Sequence, residues 1–162
     1  MNITIQPFAE KDIPEMISIW NCIVEEGNAF PQEEFLTVET GLPFFRNQTL
    51  TAIAVSNKEI VGLYILHPNN IGKCSHIANA SYAVKKGHRG EKIGEKLVIH
   101  SLESAKDRNF RILQFNAVVA TNEVALKLYK KIGFIQLGVI PGGFHLKGNE
   151  YLDIIPHYIQ LK

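Results

Sequence analysis

The most constraining feature of this chain is a change of rhythm around a glycine-bearing turn. Ser75 to Val84 is a β-rich run, Lys85-Lys86-Gly87-His88-Arg89-Gly90-Glu91-Lys92-Ile93-Gly94 is basic and glycine-bearing, and from Glu91 to Asp107 the period becomes helical. Ile93, Leu97, Val98, Leu102 and Ala105 share one side of that helix, and Arg111 to Val118 is again a strand. Strand, helix, strand in this order predicts a parallel crossover.

The flanking segments predict strands and helices around this unit. Asn2 to Gln6 alternates as a half-buried strand does, and Asp12-Ile13-Pro14-Glu15 supplies an N-cap, an early proline and a returning glutamate. Ile13, Met16, Ile17, Trp20 and Val24 then form one apolar stripe, with Gly27 as the stop, so residues 13 to 26 form a helix. Leu50 to Val55, Glu59 to Leu66 and Ser75 to Val84 read as an antiparallel meander. A shorter helix from Asn122 to Ile132 ends at Gly133, and strands follow at Phe134 to Ile140 and Tyr151 to Leu161. Pro156 in the last of these predicts a position near a sheet edge.

At 162 residues, with 46% apolar and 20% charged residues, the chain suits one folded domain over residues 1–162 and not a disordered segment. The net charge of +1, without a long run of lysine or arginine, predicts no nucleic acid and no membrane among its partners. The first residues lack the form of a signal peptide and no apolar run is long enough to span a bilayer, which predicts a cytoplasmic protein. Cys22 and Cys74 have neither a CxxC partner nor a nearby histidine cluster, so no metal is expected.

A basic turn leading from a strand into a helix suits an anion, because the first helical turn leaves N–H groups unpaired and glycine lets the backbone approach closely. The glycines at 87, 90 and 94 fit neither the P-loop nor the GxGxxG pattern. A second motif, Asn122-Glu123-Val124-Ala125-Leu126-Lys127-Leu128-Tyr129 before Gly133-Phe134, puts Asn122, Ala125 and Tyr129 near one side of a short helix, where they can face one ligand.

With these two motifs the sequence resembles the GNAT acyltransferase superfamily over nearly its whole length. The family's cofactor turn reads Arg/Gln-x-x-Gly-x-Gly/Ala, and its later helix reads Asn-x-x-Ala-x-x-Leu-Tyr before Gly-Phe. Arg89 and Gly94 match the ends of the first motif, Lys92 stands where the family has its middle glycine, and the second motif matches fully. The stretches Ile19 to Glu25 and Gln114 to Val119 are similar to the phosphinothricin acetyltransferase-like branch, which favours small amines or amino-acid-like acceptors.

The resemblance implies an α/β (α+β) fold, a mixed, mostly antiparallel central sheet flanked by helices. It implies acetyl-CoA as cosubstrate and direct transfer of acetyl to the amine of a small-molecule acceptor. By the same resemblance, the backbone of Tyr82, Ala83 and Val84 pairs with the pantetheine arm. The amides of Arg89, Gly90, Glu91, Lys92, Ile93 and Gly94 hold the pyrophosphate, Asn122 contacts the pantetheine with Ala125 beside it, and Tyr129 is the general acid near the sulfur. A backbone N–H near Val84 serves the polarised carbonyl.

Glu25 or Glu26, which precede the loop Gly27-Asn28-Ala29-Phe30, is the candidate base through a water, with His76 second, and the Asn79 amide orients the acceptor. The tail Pro141 to Tyr151 is a glycine-rich hairpin that covers the acceptor pocket or contacts a second subunit of a homodimer. Two other readings stay open: an acyl-CoA sensor without transfer, and a protein lysine or N-terminal acetyltransferase.

Overall fold

The computed structural model describes residues 2–162; Met1, the first residue of the expected single-domain span, lies outside the described residues. In chain order the elements are β1 (Thr4–Pro7), α1 (Ile13–Glu26), α2 (Val38–Arg46), β2 (Leu50–Ser56), β3 (Glu59–Pro68), β4 (Ile77–Val84), α3 (Ile93–Asp107), β5 (Ile112–Val119), α4 (Glu123–Ile132), β6 (Ile135–Gln136), β7 (Ile140–His145) and β8 (Tyr151–Gln160). The strands form one sheet in the order β1-β2-β3-β4-β5-β8-β6, with β7 also paired to β8. All pairings are antiparallel except β4 with β5. The expected mixed, mostly antiparallel sheet flanked by helices is the one observed.

Helices cover both faces. α1 and α2 pack on one side, where Met16, Trp20, Phe45, Leu63 and Ile65 are buried together. α3 and α4 pack on the other, against Tyr64, Leu66, Leu113 and Phe115. Successive residues of β3 therefore go to opposite cores, and its run from Ile60 to Leu66 is apolar without a polar face. The α1 stripe is buried as predicted, and Gly27 ends the helix in the left-handed conformation at φ 65°.

Sequence reasoning does not reach α2, because Gly41 and Pro43 lie inside it and read as breakers. Its start is fixed by Thr37, whose hydroxyl accepts from the Thr40 N–H at 3.2 Å. Gly41 is required by packing: a Cβ there would lie 2.6 Å from Ile17 Cδ1.

Pro156 requires a correction, since β8 lies inside the sheet order and not at its edge. The outer neighbour of β8 is interrupted between Gln136 and Ile140, and the Pro156 carbonyl accepts from Leu137 N at 2.9 Å in that gap. A strand residue directs its N–H and C=O to the same side, so the donor proline lacks would have pointed into an already broken ladder.

Candidate active site

The site arises where two strands part. β4 and β5 pair only at Ile77 with Ile112 and Ala78 with Leu113, and beyond these the strands separate. β5 then carries a bulge between Phe115 and Val118. Two connected clefts fill the opening, of about 190 and about 790 Å³. Ala29, Tyr82, Asn122, Ala125 and Tyr129 line both, so the wall common to the two clefts joins the loop after α1 to β4 and α4.

The larger cleft runs along the turn into α3. Arg89, Gly90, Lys92, Ile93 and Gly94 line it, whereas Glu91 does not and instead lies 3.1 Å from His88. Lys92 is the N-cap of α3 and sits at φ 61°, ψ 18°, in the left-handed region. This explains the departure from the family pattern: a position that usually carries glycine keeps a glycine-like backbone while carrying a lysine. Gly90, at φ 90°, is held to glycine by conformation and not by crowding, since a Cβ there would meet nothing within 4 Å.

Two basic residues of this segment, Lys85 and Arg89, are held by carboxylates. Lys85 Nζ lies 2.7 Å from both Glu15 and Glu59, and these partners raise its pKa above the usual lysine value. It fastens the end of β4 to α1 and β3. Arg89 holds Glu26 with 2.8 and 2.7 Å contacts to its two carboxylate oxygens. Glu26, a candidate base, therefore stands at the turn into α3 and lines the larger cleft, while Glu25 is exposed and lines neither cleft. His76 is also exposed and lines neither.

On β4 the side chains of Tyr82 and Val84 face the clefts, while Ala83 is buried against α1. Ala83 lines neither cleft and pairs with Leu63 of β3, so Tyr82 and Val84 are the residues of this strand end that meet the opening. Tyr82 Oη lies 2.7 Å from Ser101 Oγ, which ties β4 to α3. On α4, the Asn122 side chain accepts from Ala125 N at 3.2 Å and caps the helix. Tyr129 packs against Phe115, with ring centroids 4.5 Å apart, and burial raises its pKa well above the usual tyrosine value.

The smaller cleft holds Asn79 together with residues that sequence reasoning does not reach, Phe115 and Asn116. Asn79 Nδ2 donates to Asn69 Oδ1 at 3.2 Å, Asn69 and Asn116 exchange amide hydrogen bonds at 3.1 and 2.7 Å, and Gln114 donates to Asn116 at 3.1 Å. The one signal in the sequence is an asparagine inside the otherwise apolar run Phe115 to Val119. No group of three or more metal-ligating side chains occurs among the described residues. No helix among them is long and apolar enough to cross a membrane.

Residues 14–134 match the Acetyltransferase (GNAT) family. The chain belongs to this family. Among GNAT relatives, N-acetyltransferase aca1 of Schizosaccharomyces pombe is 36% identical over 95 residues, 58% of this chain and 46% of aca1. The match thus spans less than half of that relative. YwnH of Bacillus subtilis, which bears the name of a phosphinothricin acetyltransferase, is 23% identical over 154 residues, 92% of this chain and 94% of YwnH. In fold, the GNAT chain is similar to yncA from Salmonella typhimurium, solved with its cofactor acetyl-CoA, with a TM-score of 0.92 at 17% identity over 99% of this chain and 94% of that one.

Proposed function

We propose that this GNAT protein transfers the acetyl group of acetyl-CoA directly to the amine of a small molecule, in the class of simple amines and amino-acid-like compounds. The observation that carries this reading is the shared wall of the two clefts, where Tyr129 stands between a basic turn and a small amide-lined pocket. The residues present suit acetyl-CoA. The turn from Arg89 to Gly94 offers unpaired backbone amides at a helix start, and β4 beyond Ala78 has no β5 partner, leaving the Tyr82 to Val84 backbone as a strand edge.

Acetyl-CoA supplies the acetyl as a thioester; the protein's part is to position the amine and move protons. Tyr129, kept protonated by burial, is the donor for the departing sulfur. Asn79 orients the amine through its amide, and the amine proton leaves by way of water, with Glu26 the nearer of the two candidate carboxylates to the cleft. The free thiols Cys22 and Cys74 suit the reducing cytoplasm as the place of action.

Calorimetric titration with acetyl-CoA, followed by a free-thiol assay over a panel of amines, amino acids and lysine peptides, tests the proposal. Binding with thiol release on small amines is the expected result. Binding without release on any amine makes the protein a sensor, release on peptides alone makes it a protein acetyltransferase, and absence of binding removes the cofactor assignment.

A further inference from the structure

The smaller cleft differs sharply in charge from the larger one. Among the described residues, the larger cleft includes Glu26, Arg89, Lys92, Glu95 and Glu123, whereas no charged side chain lines the smaller. Its polar residues are Asn79, Ser81, Asn116 and Asn122 with the two tyrosines, and the rest are aromatic or aliphatic. At about 190 Å³ it admits only a small ligand. An anion moved there from water would lose its hydration without gaining a cation. A neutral amide or hydroxyl finds both donors and acceptors in the Asn79–Asn69–Asn116 network.

We infer that the acceptor is a small amine without a carboxylate, bearing an uncharged amide- or hydroxyl-like group that Asn79 and Asn116 recognise, and that free amino acids are disfavoured. The inference rests on the proposed acetyl transfer and narrows its acceptor class. The tyrosine rings on the cleft wall, Tyr82 and Tyr129, suit the amine before and after it loses its proton, since an aromatic ring attracts an ammonium and also packs against a neutral amine. No such compensation exists for a carboxylate. Asn116, at the bulge of β5, is the specificity-determining position, because it is exposed at the rim and linked by hydrogen bonds to Asn69 and Gln114.

The test compares alaninamide, ethylamine and alanine as acceptors, with rates referred to the free-base concentration of each. Alaninamide is expected to exceed alanine in kcat/KM by at least about tenfold, the equivalent of one weak charge–dipole preference. Asn116→Lys, which adds a cation at an exposed rim position, is expected to shrink that ratio by about tenfold by favouring alanine. Equal or better use of alanine by the unaltered protein overturns the inference while leaving acetyl transfer intact.

Absence of thiol release with all three and with the wider panel of amines, in a protein that binds acetyl-CoA, overturns the small-amine transfer reading instead. The inference is then read from titration of the three compounds into the CoA-loaded protein by nuclear magnetic resonance. Tighter binding of alaninamide than alanine at the resonances of Asn79 and Asn116 upholds it; tighter binding of alanine, or binding of none of them, overturns it.

Discussion

Arg89 grips both carboxylate oxygens of Glu26, at 2.8 and 2.7 Å, across the mouth of the larger cleft. One residue belongs to the turn that suits phosphate and the other closes α1, so an anion arriving at Arg89 must compete with a carboxylate already seated there. Arg89 is 53% exposed, which keeps the pair weak. Glu26→Gln is expected to tighten acetyl-CoA binding about two- to fivefold, with the gain shrinking at high salt. Calorimetry at two salt concentrations reads this, and weaker binding in the variant would show that Glu26 assists the cofactor.

Lys92→Gly is expected to stabilise the fold. A lysine at φ 61° carries a steric cost that glycine does not, worth up to about 1 kcal/mol, or roughly 2–4 °C in Tm for a chain of this size. Acetyl-CoA binding should tighten or stay unchanged, since the backbone amide remains in place. A lowered Tm, or markedly weaker binding, would mean that the ammonium contributes more than the backbone conformation costs.

Tyr129→Phe is expected to lower kcat by about 100-fold while acetyl-CoA affinity changes little, as removal of a proton donor does. The raised pKa values of Tyr129 and Tyr82 also set a sign for alkaline stability. Both stay protonated in the folded state after the unfolded chain begins to ionise, so their contribution is present below about pH 10 and lost as pH rises beyond it. An ultraviolet titration should show these tyrosines ionising late and together with unfolding. Early, reversible ionisation of both would place them at the surface.

His157 gives the opposite limb. It is buried, its Nδ1 donates to the Ile155 carbonyl at 2.6 Å, and its Nε2 has no partner among the described residues. Burial lowers its pKa, so its stabilisation is present above about pH 6.5 and lost as pH falls from there. His157→Gln should flatten the fall in stability between neutral and mildly acidic pH, measured by denaturant unfolding across that range. An unchanged slope would assign the acid sensitivity to other groups such as His100, whose pKa burial also lowers.

Elements whose residues agree locally with their tertiary setting were legible in the sequence. α1 runs from Ile13 to Glu26 as its stripe and Gly27 predict, and α4 ends at Ile132 before Gly133 as expected, with Asn122 as its cap and not its first helical residue. α2 was not legible, because Gly41 serves a close approach to Ile17 and looks locally like a breaker. Pro156 misled for the same reason: its tolerance depends on where β6 stops and β7 starts, a fact of topology. At the site, the Asn122 to Tyr129 side and the turn could be read, whereas the bulge that presents Asn116 has no glycine or proline to announce it.

The pairing of β4 with β5 resembles a zipper halted after two teeth. A ligand that takes up the abandoned strand edge lends its own bonds to the sheet, so its arrival alters the cohesion of the whole molecule. At a ligand concentration about 100 times its Kd, mass action adds about 2.7 kcal/mol to the folded state. Resistance to heat and proteases would then rise and fall with the supply of that ligand, and the abundance of the protein would become a gauge of its surroundings.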